Sequence, residues 1–353
     1  MESFSNMFAR TGGGFGQRPE NRKDAMTTPT SERPSPRFTE AAGIPVSDPT
    51  PVITFSPVVL PVPGRIVDLT VKVSAPATGS DLPVILLSHG HGPSNFVSSL
   101  HGYGPLADFW AAHGFVVIQP THLDSMTLGL RELDDPEAPV YWRSRVGDMR
   151  HILDHLDQIE AVVPGLEGRL DRSRIAAAGH SMGALTVGML CGQRVTDPVD
   201  GAEVDLADAR VKAGVVMAPA GRGEDLGAFA LEHYPILRTI TFANMTTPVF
   251  VIVGENDWNP AFSTRRNWGA DGYLLSPSPK SLLTLFEAEH SLGGVGAYDA
   301  AETSDENPER VAALRALAWA YLRTTLYPDD PAWADATAAL SSMPNQLGKV
   351  ESK

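Results

Sequence analysis

The chain has 353 residues, 42% of them hydrophobic, with a single cysteine (Cys191) and a formal net charge of −14. That apolar content suffices for a large core in one or two domains, and a lone cysteine excludes an internal disulfide framework or a metal site built from thiolates. A net negative surface repels phosphate backbones and anionic lipid, so nucleic acid is set aside as a partner.

Residues 1–38 are rich in Gly, Pro, Ser, Thr and charge. Such a mixture buries too little to offset its ordering entropy, which predicts a flexible arm over residues 1–45, with Met26 inside it as an alternative start. The arm lacks the apolar centre of a signal peptide, and no run of apolar residues is long enough to span a bilayer. A soluble, cytoplasmic protein with no membrane span is therefore expected.

Beyond the arm, "PVITFSPVVL" and "RIVDLTVKVSAP" alternate apolar and polar residues around turn signals, the pattern of a half-exposed antiparallel edge. Four later runs, at 82–90, 114–122, 211–219 and 247–257, are nearly continuous apolar stretches. They suit central parallel strands covered on both faces. Between them Leu106, Phe109 and Trp110 share one helical face, and Val146, Met149, Leu153, Leu156 and Ile159 share that of a longer helix. Val311, Leu314, Leu317 and Tyr321 mark another, with Pro308 and Glu309 in its first turn. Strands alternating with helices predict an α/β fold with a parallel sheet, whose ligands meet the carboxyl ends of the strands.

The chemistry-bearing stretch is "RIAAAGHSMGAL", residues 174–185. A short apolar strand runs into Gly179-His180-Ser181-Met182-Gly183 and then into an apolar helix ending near Cys191, the strand–turn–helix context of a nucleophile elbow. Glycines two before and two after Ser181 let the turn close tightly, which exposes the serine oxygen and points the N–H of Met182 at the same space. A bare turn containing a serine is the alternative, and the flanking strand and helix disfavour it. His180 reads as a packing and hydrogen-bonding residue, and Cys191 as a small buried hydrophobe.

A serine hydroxyl becomes a useful nucleophile only when a histidine takes its proton and an acid holds that histidine's tautomer. Asp257, just past the apolar run "VFVIVG", stands where the acid belongs; Glu255, nearer the strand end, is the rival and suits a structural role better. His290, in "EAEHSLGG", is the only histidine after Asp257. The loop "SHGHG" after the third strand should furnish a second oxyanion donor, the N–H of His91 between Gly90 and Gly92. His89 and His91 also form an H-x-H pair, but no convincing carboxylate set accompanies them as metal ligands.

The stretches "PVILLSHGHGPSNF", "LADFWAAHGFVVIQPTH", "GHSMGA", "VFVIVGEND" and "EAEHS" resemble the α/β-hydrolase superfamily over residues 50–326. Within it they resemble the platelet-activating-factor acetylhydrolase and dienelactone-hydrolase-like branch, which is itself similar to chlorophyllases and cutinase-like polyester hydrolases. The resemblance implies a mostly parallel twisted central sheet with helices on both faces and an antiparallel N-terminal edge. It implies a catalytic domain over 46–326 with a short lid-like excursion at 218–247; residues 327–353, punctuated like the N-terminal arm, read from their own composition as a peripheral tail. It further implies Ser181, Asp257 and His290 as catalytic triad and the N–H groups of His91 and Met182 as oxyanion hole, with no cofactor and no metal. Dienelactone hydrolases proper carry a cysteine nucleophile, and Ser181 here moves the expectation to serine ester hydrolysis.

The expected partner is a small to medium, largely apolar ester, with Phe96, Trp142 and Trp258 as candidate substrate contacts and Phe229, Tyr234, Ile236, Leu237 and Phe242 as either cleft or packing residues. A non-catalytic small-molecule receptor on the same fold is a rival reading. So are acyl transfer and thioester or amide cleavage by the same triad, because the acyl-enzyme step is shared.

Overall fold

A computed structural model describes residues 41–299 and 303–353. The expected arm lies, up to residue 40, outside the described residues; Ala41 and Ile44, just beyond, are buried.

In chain order the elements are β1 (Val52–Leu60), β2 (Leu69–Pro76), β3 (Leu82–Ser88), α1 (Gly104–Ala112), β4 (Val116–Pro120), α2 (Trp142–Asp154), α3 (Leu156–Val162), β5 (Leu170–His180) and α4 (Met182–Leu190). There follow the two-residue strands β6 (Val195–Thr196) and β7 (Glu203–Val204), then β8 (Val211–Met217), α5 (Ala228–His233), β9 (Val249–Gly254), α6 (Asp271–Leu274), β10 (Lys280–Leu285), α7 (Pro308–Leu326), α8 (Ala332–Ser342) and β11 (Gly348–Ser352).

Among the described residues nine strands form one sheet in the order β1-β2-β4-β3-β5-β8-β9-β10-β11, while β6 and β7 pair separately. From β4 to β10 every neighbouring pair is parallel, and β1–β2, β2–β4 and β10–β11 are antiparallel. The chain is therefore a mixed α/β protein with a large, mostly parallel sheet. All seven residues of β3 are buried, because helices cover both faces. Val84 and Leu86 join one apolar core with α2, α3 and α4, while Ile85 and Leu87 join the other with α1, α7 and α8. No helix among the described residues is long and apolar enough to cross a membrane.

Two local expectations differ from the structure. The single helix read from Val146 to Ile159 is divided at His155, whose φ of −119° and ψ of 23° leave the helical region, with its ring bonded to the His151 carbonyl. The residues after Leu326, expected as a peripheral tail, instead complete the sheet. Ala332, Ala336 and Leu340 repeat at helical spacing and are buried in the second core, Trp333 packs its ring edge-on to Phe250 and Tyr321, and β11 pairs with β10 from Ser281↔Ser352 to Leu285↔Gly348. Pro and Asp at 328–331 punctuate the chain between two packed elements rather than ending its ordered part. The excursion between β8 and β9 holds α5 and two 3-10 turns, Gly223–Asp225 and Pro235–Thr239.

Candidate active site

Ser181 lies between the last residue of β5 and the first of α4, with φ 55° and ψ −118°. A non-glycine residue holds such a backbone only where its surroundings impose it. The Ser181 N–H donates to the Met217 carbonyl of β8 at 2.9 Å, and its carbonyl accepts from Ala184 N–H at 2.9 Å. The flanking glycines have a steric cause. A Cβ on Gly179 would strike the Gly183 carbonyl, and one on Gly183 would strike the Ser88 carbonyl at the end of β3. Helix α4 is thus pressed against two strands, with its N-terminus open to charge that develops on a ligand.

Asp257 follows β9 and is turned back by a bond from its own N–H to the Gly254 carbonyl, 3.1 Å. His290 follows β10 in a loop whose Glu289 and Gly293 N–H groups both donate to Asp305 Oδ2, at 2.7 and 3.0 Å. The structure brings the three side chains together. His290 Nδ1 is 3.0 Å from Asp257 Oδ1 and 3.2 Å from Oδ2, and Nε2 is 3.0 Å from Ser181 Oγ. A carboxylate only accepts, so the neutral ring carries its proton on Nδ1 and offers the Nε2 lone pair to the hydroxyl. The His290 side chain is half exposed. Desolvation by the surrounding protein lowers its pKa, but the Asp257 carboxylate outweighs this and raises it above the ordinary 6.5. Desolvation likewise pushes the Asp257 pKa up, and the His290 ring more than reverses it. Glu255 stays apart from the histidine; its carboxylate accepts the Glu287 N–H at 2.9 Å, tying the β9 loop to the β10 loop.

The loop after β3 passes directly beside the serine: a Cβ on Gly90 would stand 3.4 Å from Ser181 Cβ and 2.9 Å from Tyr103 Oη. This loop, which carries His91, rests on buried charge that the sequence reading missed. Arg145, fully buried on α2, donates to the His89 carbonyl and to Asp124, and also to Ser88 Oγ at 3.2 Å and Thr186 Oγ1 at 3.0 Å. Asp124 in turn holds His91 Nδ1 at 2.7 Å, and Arg131 donates to the Gly92 carbonyl at 2.9 Å. His89 is committed to the Gly90 carbonyl through Nδ1 and to the His122 N–H through Nε2, 2.8 and 3.1 Å. Burial would raise the Asp124 carboxyl, yet Arg145 holds it well below the usual range. Burial and Arg145 together keep His89 far below its ordinary pKa. Arginine inside an otherwise amphipathic helix looks like a solvated face in sequence; only its partners reveal the load it carries.

The candidate substrate residues separate. Phe96 is 50% exposed in the loop after β3, stacked on His101. Trp258 follows the acid, donates to the Ser263 carbonyl at 3.0 Å and lies under Arg266. Trp142 belongs to the core beneath α2 with only 5% of its surface open. Ile236, Leu237 and Phe242 are buried packing residues as well. Half-buried Phe229 and Phe262 group with Tyr234, whose ring meets His91 edge-on at 6.4 Å. No family model matches this sequence, and the search of curated proteins finds none similar to it.

Proposed function

We propose that the protein is a serine carboxylic-ester hydrolase on the α/β-hydrolase fold, of the acetylhydrolase and dienelactone-hydrolase-like branch that its motifs resemble. The observation that carries this reading is one imidazole with Nε2 at 3.0 Å from Ser181 Oγ and Nδ1 at 3.0 Å from Asp257. In the proposed reaction His290 accepts the hydroxyl proton as Ser181 Oγ bonds to the ester carbonyl carbon. Asp257 stabilises the resulting imidazolium. The carbonyl oxygen becomes an oxyanion that the N–H groups of Met182 and His91 receive; loss of one such donor costs about 3 kcal/mol of barrier stabilisation. Collapse expels the alcohol, protonated by His290, and water then cleaves the acyl-enzyme by the same route. Tyr234, edge-on to His91 and grouped with Phe229 and Phe262, with Trp258 just after the acid, favours an apolar acyl or alcohol group over a charged one.

The test is hydrolysis of p-nitrophenyl esters of increasing acyl length, with Ser181→Ala as control. Turnover by the native chain and a loss of about a million-fold in kcat for the variant are expected. A fluorophosphonate probe should add its mass at Ser181. Equal turnover by the variant, or no reaction of the native chain with either reagent, would remove the proposal.

A further inference from the structure

Buried beside the triad lies a second histidine that the proposed reaction does not use. His180 precedes the nucleophile and is 8% exposed, and its ring centroid is 5.0 Å from that of His290. Its Nε2 is 2.7 Å from the His290 carbonyl oxygen, and its Nδ1 is 3.0 Å from Tyr103 Oη. Tyr103 Oη is in turn 3.0 Å from the Gly90 amide nitrogen.

Each link in this chain has one possible direction. A carbonyl only accepts, so His180 carries its proton on Nε2 and donates it to His290. The neutral ring then presents a lone pair at Nδ1, which Tyr103 fills with its hydroxyl proton. The Gly90 amide can only donate, and Tyr103 Oη accepts from it. Burial, with the charge of His290 adding to it, pushes the His180 pKa down to about 4, so the polarity of the chain persists while His290 gains and loses its proton. Tyr103 is joined to the same histidine loop a second time, through its backbone N–H to the Gly296 carbonyl at 2.7 Å. A Cβ on Gly90 would press on Tyr103 Oη and on the His180 carbonyl, so the close approach needs glycine there.

We infer that His180 is a positioning residue: with Tyr103 it clamps the main chain of His290 to the Gly90 loop, holding the general base and the oxyanion loop in one fixed geometry around Ser181. The inference rests on the hydrolase reading for its catalytic consequence, but the clamp itself is a statement about His290 that can be read without turnover.

The experiment compares the native chain with His180→Gln, His180→Asn and Tyr103→Phe. Glutamine reaches as far as Nε2 and keeps an N–H for the His290 carbonyl; asparagine is shorter and loses it. The phenylalanine variant keeps the ring that fills the space and deletes only the hydroxyl. On p-nitrophenyl butyrate, His180→Asn should lose about a hundredfold in kcat, the cost of misplacing a catalytic group by about an ångström. KM should stay within about twofold, His180→Gln should recover most of the loss, and Tyr103→Phe should fall between them, with thermal midpoints recorded for all. Equal rates in the asparagine and glutamine variants, or rates that simply follow the thermal midpoint, would overturn the inference. Nitrogen-15 NMR of the His290 ring supplies the second reading. The asparagine variant should shift its apparent pKa and the glutamine variant should not; identical spectra in both would overturn the clamp. A native chain that turns over no ester while these spectral shifts appear would remove the hydrolase proposal and leave the clamp standing.

Discussion

Ser181 sits in a backbone conformation that an isolated serine would leave, and it stays because Gly179 and Gly183 allow α4 to press against β5 and β3. The motif was legible in the sequence for that reason: its cause lies within five consecutive residues. That Asp257 rather than Glu255 would stand beside His290 was legible from the strand–loop pattern, but the separate duty of Glu255 in pinning Glu287 was visible only as a preference, since nothing local shows where that carboxylate reaches. A pH dependence follows from the pair at the far side of the serine. In the proposed reaction only neutral His290 can accept the Ser181 proton, and the Asp257 charge keeps the ring protonated to higher pH than an ordinary histidine. Hydrolysis should therefore rise with pH through a midpoint above 6.5. Replacing Asp257 by Asn removes the charge, so the midpoint should move down while kcat falls about ten-thousand-fold. A pH–rate profile of kcat/KM on both proteins checks this; an unmoved midpoint would disconnect the carboxylate from the base.

Helix α2 lies behind the candidate oxyanion loop and carries the buried Arg145, whose guanidinium joins the end of β3 and the middle of α4 to the Asp124 loop after β4. A buried ion pair adds little over an apolar replacement of both partners, but removing one partner strands the other in a desolvated site. Arg145→Leu should destabilise the fold by about 3 to 5 kcal/mol, read from urea unfolding, whereas the partly exposed Arg150 on the same helix should cost under about 1 kcal/mol on the same substitution. Equal effects at both positions would mean that the Asp124 charge is accommodated without its partner. Periodicity found α2 from Val146, Met149 and Leu153 but ran on through Ile159. Apolar spacing continues across His155 while the backbone does not, and spacing alone cannot register a residue that leaves the helical region without proline or glycine.

Across the whole molecule, four of the six mutually parallel strands were readable from their nearly continuous apolar runs, because burial on both faces removes any need for alternation, and β5 from the short apolar run before Ser181. The two edges were not equally readable. β1 and β2 alternate as a half-exposed edge should, but β11 reads "GKVES". Its polar, charged residues suit a short edge strand that resists further pairing, and in sequence they resemble a tail. Ending the chain after Leu326 should remove the Trp333 contacts with Phe250 and Tyr321 and leave β10 without its antiparallel neighbour. The buried Leu340 alone accounts for about 2 kcal/mol. The shortened protein should melt at lower temperature and elute partly as aggregate in size-exclusion chromatography; a monomer with the native midpoint would show that residues 327–353 are dispensable.

The sequence by itself determined the alternation of strands and helices, the tight turn at Ser181 and the places where an acid and a base could follow, because sterics and backbone hydrogen bonding act over a few neighbouring residues. Only the tertiary structure decided that His290 reaches a serine 109 positions earlier, that Arg145 lies buried against Asp124, and that His180 faces the His290 carbonyl. Those outcomes depend on which groups lose their water together, and desolvation is set by packing between distant segments rather than by any local pattern.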